Sequence, residues 1–181
     1  MTYPPDVTFS QAAPAIATAA QAGGQPYSGG AGLMPAQLGQ LVRRVASGGQ
    51  WLDQVMFSTD ERWFSRLELT DDYEIWLLSW LPGQRTGLHD HGEAAGAFAV
   101  AQGDLQETLA RPGSRLLKSR RADQGTVRSF GRRHLHDMAN VSASPAISVH
   151  AYSPPLTAMR RYEMTPAGLT LVRTDHAELD W

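Results

Sequence analysis

Residues 80–103, WLPGQRTGLHDHGEAAGAFAVAQG, are the stretch whose reading decides the fold. Pro82-Gly83 sets a turn near its start and Gly103-Asp104 sets another at its end. Between them lie His89-Asp90-His91 and an apolar run, 96–101, short enough to be a buried strand. Side chains two apart in a strand share a face, so the two imidazoles are expected side by side. A third histidine from a neighbouring strand could complete a facial set and leave positions open for a substrate.

The rest of the chain follows the same rhythm. Apolar or alternating runs at 63–69, 73–80, 96–101, 105–110, 115–121, 126–130, 134–141, 147–153 and 169–173 read as strands. Thr70-Asp71-Asp72, Pro112-Gly113, Gly125 and Gly131 break them. Short strands at this spacing make a mostly β fold of the sandwich, jelly-roll or small-barrel kind. Upstream, PAQLGQLVRRVASGG starts a helix at Pro35, places Leu38, Leu41, Val42 and Val45 on one face, and stops at Gly48-Gly49. A second short helix is expected around Trp51, Leu52, Val55 and Met56. Residues 1–34 read as an extended or weakly ordered lead-in rich in Ala, Gly, Pro and Gln. With no internal repeat and no second apolar core, residues 35–181 read as one domain with a small helical region ahead of its strands.

Composition removes several classes of function. Sixteen basic and eighteen acidic residues nearly balance, which argues against a nucleic-acid binder. No apolar run reaches the ~18–20 residues of a membrane span, and the first residues lack the basic start of a signal peptide. A cytoplasmic protein without nucleic-acid or membrane partners is the expectation. The absence of cysteine excludes disulfides, thiolate metal sites and cysteine nucleophiles, so any metal must be held by His, Asp or Glu. Neither a glycine-rich phosphate loop nor a Gly-x-Ser-x-Gly elbow is present.

Two further motifs carry chemistry. His136-Asp-Met-Ala-Asn140 offers a third histidine, with His134 a competitor of the same parity. Ser148-Val-His150-Ala-Tyr152 sets three polar side chains on one strand face, where a serine could orient an imidazole and the imidazole a phenol. A polar stripe on an exposed strand is the plainer reading of that row taken alone.

These motifs, from Gly83 to His91 and from His136 to Asn140, resemble the two signature motifs of the cupin superfamily, small antiparallel jelly-roll-like β-barrels with a metal in the mouth. The resemblance implies His89, His91 and His136 as ligands, and the Asn140 spacing favours His136 over His134. The glutamate ligand of the general motif is missing, since Ala95 and Gly96 stand there. Glu93 has the right parity to replace it and otherwise reads as a solvated loop carboxylate.

Taken in order, Trp80-Leu-Pro-Gly, His89-Asp-His91, Gly103-Asp-Leu-Gln-Glu-Thr-Leu, His136-Asp-Met-Ala-Asn140 and Ser148-Val-His-Ala-Tyr-Ser-Pro-Pro155 resemble the cysteine dioxygenase family. That resemblance implies mononuclear non-haem iron(II) and the oxidation of L-cysteine by O2 to its sulfinic acid. The closest alternative is 3-mercaptopropionate or a related mercapto acid, and a rival of another class is a metal-binding cupin sensor without turnover. Catalytic roles fall to Tyr152, His150 and Ser148, and Trp80 matches a tryptophan beside the substrate. Arg66 is implied as the partner of the substrate carboxylate, with Arg62 in reserve. Gly96 stands where the animal enzymes carry a cysteine cross-linked to their tyrosine, and Ser153-Pro154 matches a cis peptide. A monomer acting on a small thiol and O2 completes the expectation.

Overall fold

Strict alternation along two strands decides how the layers stack. A computed structural model of the chain describes residues 32–113 and 115–177. Nearly all of the lead-in expected at 1–34 lies outside them. The strands among the described residues are β1 (Phe64–Leu69), β2 (Glu74–Trp80), β3 (Leu88–Asp90), β4 (Ala95–Gln102), β5 (Asp104–Ala110), β6 (Lys118–Asp123), β7 (Val127–Phe130), β8 (Leu135–Ala139), β9 (Ala146–Ser153), β10 (Ala158–Thr165) and β11 (Gly168–His176). They form two antiparallel sheets, one ordered β1-β2-β9-β4-β7 and the other β11-β10-β3-β8-β5-β6. One helix, α1 (Pro35–Gly48), precedes them. This is the mostly β architecture with a small N-terminal helical region that the sequence leads one to expect.

At the centre of the first sheet, β4 and β9 are buried along both faces. Ala95, Ala97 and Ala99 of β4 and Ile147, Val149 and Ala151 of β9 face outward, where Leu38, Leu41 and Val42 of α1 cover them. Small alanines let the helix come close. Phe98 and Val100 of β4, with Ala146 and Tyr152 of β9, point the other way and pack with Leu105 and Met138 of the second sheet. Ser148 and His150 share that inward parity. The period-two rule therefore carries the polar row of β9 into the space between the sheets, and the exposed-stripe reading is set aside.

Helix α1 begins with Pro35 in its first turn and ends at Gly49, whose φ of 67° lies in the left-handed region that glycine tolerates best. The second helix expected near residue 52 shrinks to one 3₁₀ turn, Leu52–Gln54. Two strands escape sequence reading. With three residues, β3 is too short to show alternation. In β10 the polar side chains are engaged by partners: Arg160 and Tyr162 bind Asp90, and Arg161 binds Asp175. The strand expected at 115–121 starts later, at Lys118. No helix among the described residues is long and apolar enough to cross a membrane.

The outward core should be as stabilising as the inward one. Leu38 of α1 is fully buried against the first sheet, whereas Leu52 is mostly exposed. Urea unfolding of Leu38→Ala should show a loss of about 2–5 kcal/mol, against less than ~0.5 kcal/mol for Leu52→Ala. Equal losses for the two would contradict the docking of α1.

Candidate metal centre

Backbone pairing places the histidines. Within the β3–β8 ladder His89 lies directly opposite His136, and His91 follows two residues along on the same face. All three are buried, and one ligand atom from each lies within 4.8 Å of the others. Their ring centroids are 4.8 to 5.2 Å apart. Nδ1 of His89 sits 2.9 Å from the Gly87 carbonyl, and Nδ1 of His136 sits 3.0 Å from Oε1 of Glu107. Each of these nitrogens must donate to its oxygen, so each ring keeps a lone pair at Nε2. Both ring nitrogens of His91 are buried without any partner.

Electrostatics prepares the same three rings for a cation. Burial, and then the neighbouring imidazoles, hold His89 and His91 well below the usual histidine range. Burial lowers His136 too, against the opposing pull of Glu107. Neutral imidazoles with inward lone pairs are a donor set that divalent iron, nickel or zinc accepts. A buried orphan such as His91 is costly unless something accepts its lone pair, and a metal ion does so. The residues present therefore fit a metal. Glu93 is exposed and takes no part in the cluster.

Next to the triad runs a directed hydrogen-bond chain. Trp80 donates its indole N–H to Oγ of Ser148 at 2.9 Å, and that Oγ lies 2.9 Å from Nε2 of His150. Since the indole can only donate, the serine hydroxyl proton is free to go to Nε2. Nδ1 of His150 then carries a proton and faces the Tyr152 hydroxyl oxygen at 3.4 Å. Burial lowers His150 to about 3 and pushes the Tyr152 phenol up. Both groups are thus neutral near pH 7, with the tyrosine O–H free to donate into the site. Tyr152 also lies 4.6 Å from the His91 ring, which joins the chain to the triad. A Cβ at Gly96 would come within 2.5 Å of the Phe130 ring and 3.0 Å of Tyr152, so the ring of Phe130 takes the space of a side chain at that position. The Ser153–Pro154 peptide is cis.

A cavity of about 470 Å³ opens onto these groups, lined among others by Arg62, Trp76, His89, His136, His150 and Tyr152. Arg66 is not one of its walls. That side chain is 46% exposed, its guanidinium lies 5.4 Å from the Trp76 ring, and Nη1 is 3.7 Å from Glu74. The reserve residue, Arg62, lines the cavity in its place. Its guanidinium lies 4.7 Å over the Trp80 ring, and its Nε is buried without a partner. Burial and then Arg161 lower it to about 10, so it stays a cation at neutral pH. Trp80 is fully buried, is not among the residues of the cavity wall, and contacts Arg62, Ser148 and the His150 ring. Trp76 is the tryptophan on the cavity wall. The sequence reading gave no role to Glu107, although a carboxylate in step with Leu105 along β5 is a signal that it faces inward.

Comparison with known proteins points the same way. Residues 39–165 match the family model described as cysteine dioxygenase type I. Cysteine dioxygenase type 1 of Danio rerio is 31% identical over 103 residues, 50% of this chain and 50% of that protein. The Homo sapiens protein of the same name is 28% identical over 102 residues, again half of each. The chain thus matches about half the length of these curated relatives. Among solved structures, a Klebsiella pneumoniae protein with a double-stranded β-helix domain aligns with a TM-score of 0.51 at 19% identity, covering 67% of this chain and 92% of that one. An RmlC-like cupin from Desulfovibrio desulfuricans gives 0.51 at 18% identity, covering 59% and 95%. These two likenesses establish the cupin fold.

Histidines kept neutral in the fold tie stability to pH. His150 is held at about 3 in the folded state, and an unfolded histidine titrates near 6.5. Below about pH 6.5 the unfolded chain takes up a proton that the folded state refuses until about pH 3. The contribution is therefore complete above pH 6.5 and is lost as the pH falls. Metal-free protein should lose up to ~1.4 kcal/mol per pH unit for each such histidine in this window. Denaturant titrations at about pH 7.5 and about pH 5 measure it, and His150→Gln should have the shallower slope.

Proposed function

The chain belongs to the cysteine dioxygenase type I family, and from that premise we propose that it is an iron(II)-dependent thiol dioxygenase acting on L-cysteine. The observation that carries this reading is a triad of neutral buried histidines, two of which, His89 and His136, line one cavity together with Arg62 and a protonated tyrosine. In the reaction R–SH + O2 → R–SO2H, both oxygen atoms end on sulfur. The sulfur is oxidised by four electrons and dioxygen is reduced by the same four.

His89, His91 and His136 would hold the iron. When bound, iron(II) supplies a Lewis acid for a thiolate and one-electron chemistry for dioxygen. Three neutral ligands leave its full dipositive charge in place, which favours an anionic sulfur. Arg62 grips the substrate carboxylate with two parallel hydrogen bonds, and the Trp80 ring below it fixes the plane of the guanidinium. Tyr152 donates its hydroxyl proton toward the reacting sulfur and oxygen, aligned by His150 and Ser148. Leu78, Leu156 and Met159 line the cavity and limit the water around those donors.

A second reading changes the thiol to 3-mercaptopropionate or a related mercapto acid. The position of Arg66 favours it, because that residue, implied as the carboxylate partner in a cysteine-oxidising site, is half exposed and paired with Glu74.

Oxygen uptake by anaerobically iron-loaded protein, offered L-cysteine and 3-mercaptopropionate separately with sulfinate assayed, tests both readings. Uptake matching sulfinate and absent in His136→Ala is the expected result, and the faster thiol identifies the substrate. Arg62→Ala should raise KM by about 10–100-fold, the worth of one charge-assisted pair at ~1.5–3 kcal/mol. Arg66→Ala should change it by less than ~3-fold, as an exposed ion pair is worth little. Bound iron without uptake of oxygen would favour a metal-binding module without turnover.

A further inference from the structure

Glu107 is the most heavily engaged carboxylate near the site, and the reaction as proposed gives it no part. It is 0% exposed, on β5 between β6 and β8. One oxygen, Oε1, lies 2.9 Å from Nε2 of His134 and 3.0 Å from Nδ1 of His136. The other, Oε2, accepts from Nε of Arg120 and Nη1 of Arg128, each at 2.8 Å. The two guanidiniums fix the plane of the carboxylate, and Oε1 is left to face two imidazoles.

We propose that Glu107 is a positioning residue that selects His136 over His134 as the third metal ligand by dictating the tautomer of both rings. An ionised carboxylate has lone pairs and no proton, so each nitrogen facing Oε1 must be an N–H. His136 then carries its proton on Nδ1 and presents its Nε2 lone pair to His89 and His91. His134 has the opposite arrangement, with Nε2 protonated and held by Glu107. Its ring is also fixed by stacking on Phe130, with centroids 4.3 Å apart and planes at 15°. The two histidines have the same strand parity and lie 4.7 Å apart, so parity alone does not separate them. Glu107, His134 and His136 are themselves close enough to group around a metal. A metal there would have to displace two N–H protons and compete with Arg120 and Arg128 for the carboxylate. The proposal rests on the reading of His89, His91 and His136 as ligands.

Histidine-labelled full-length protein, loaded with diamagnetic zinc(II), reports the tautomers directly through long-range proton–nitrogen correlations. The expected pattern is Nδ1–H with metal at Nε2 for His136, and Nε2–H with no metal for His134. In Glu107→Gln the amide NH2 must oppose either the arginines or the imidazole N–H groups. Zinc affinity by chelator competition should therefore fall about 10–100-fold, as loss of an outer-shell partner does. His134→Gln should still bind one zinc per chain within about 3-fold of the parent, and His136→Gln should not, on the same scale of outer-shell effects. Metal at Nδ1 of His136, unchanged affinity in Glu107→Gln, or loss of zinc in His134→Gln would each overturn the proposal. If Glu107→Gln does not fold, the tautomers of the parent protein decide. A parent that takes up no zinc sinks the metal-site reading, and the tautomers of the metal-free chain still test the role of Glu107.

Discussion

The site depends above all on backbone register. The single pairing of His89 with His136 across β3 and β8 fixes where two imidazoles stand, and period two then brings His91 to the same face. A slip by one residue in either strand would turn a histidine out of the cluster. Much of the surrounding hydrogen bonding serves to prevent such a slip. Asp90, between the two histidines, accepts from Arg160 at 2.9 Å, from Tyr162 at 2.7 Å and from the Gly92 amide at 2.9 Å. Asp137, beside His136, takes Arg85 and the Thr86 hydroxyl. Each of these two carboxylates alternates with ligands along its strand and so points away from the cluster, where it ties β3 and β8 to their neighbours.

Charge is distributed in layers around the triad. The innermost layer is three imidazoles held neutral by burial. Outside it stand Glu107, bound to His136, and the cation Arg62, on the cavity wall. Burial alone would raise Glu107, but hydrogen bonds from His134, His136 and Arg128 hold it well below the usual carboxylate range. An arginine that lines the cavity without a carboxylate partner is available to an anion from outside, whereas Arg161 and Arg173, also on the wall, are both bound to Asp175. This difference, more than proximity alone, is what supports the proposed role of Arg62 toward a substrate carboxylate.

The sequence was legible where a motif and a periodicity agreed. His-x-His, His-x3-Asn and the alternating row of β9 brought together His89, His91, His136, Ser148, His150 and Tyr152. The helix was legible because Pro35, an apolar stripe and Gly49 all pointed to the same bounds. Arginine placement was not. Arg62 lies ahead of β1 and Arg66 within it, and which of them meets the cavity is set by the Trp76 and Trp80 rings on β2, a strand with its own register. The place of Trp76 on the cavity wall went unread for the same reason, since an indole in a strand can equally be wall or foundation. Strand β10 stayed hidden because its polar side chains are matched by partners about 14 to 75 residues away in sequence, which no local pattern reveals.

The buried side-chain atoms left without partners among the described residues are Nε of Arg62, Nε1 of Trp76 and both ring nitrogens of His91. Two of these residues line the cavity and the third belongs to the triad. Elsewhere the interior is well satisfied. Asn140, fully buried, donates to the carbonyls of Trp80 and Ser144 and accepts from Ser142. Glu74, also buried, receives the Leu156 amide at 2.9 Å. A chain that satisfies its distant polar groups and leaves these few open concentrates its unfavourable terms at one place. Each open donor or acceptor costs about 1–3 kcal/mol in the free protein. A bound ion would remove that cost at one ring nitrogen of His91, coupling metal binding to fold stability through an atom with no other partner. The two sheets and the covering helix provide the reserve of apolar burial that lets such a site persist before its ligands arrive.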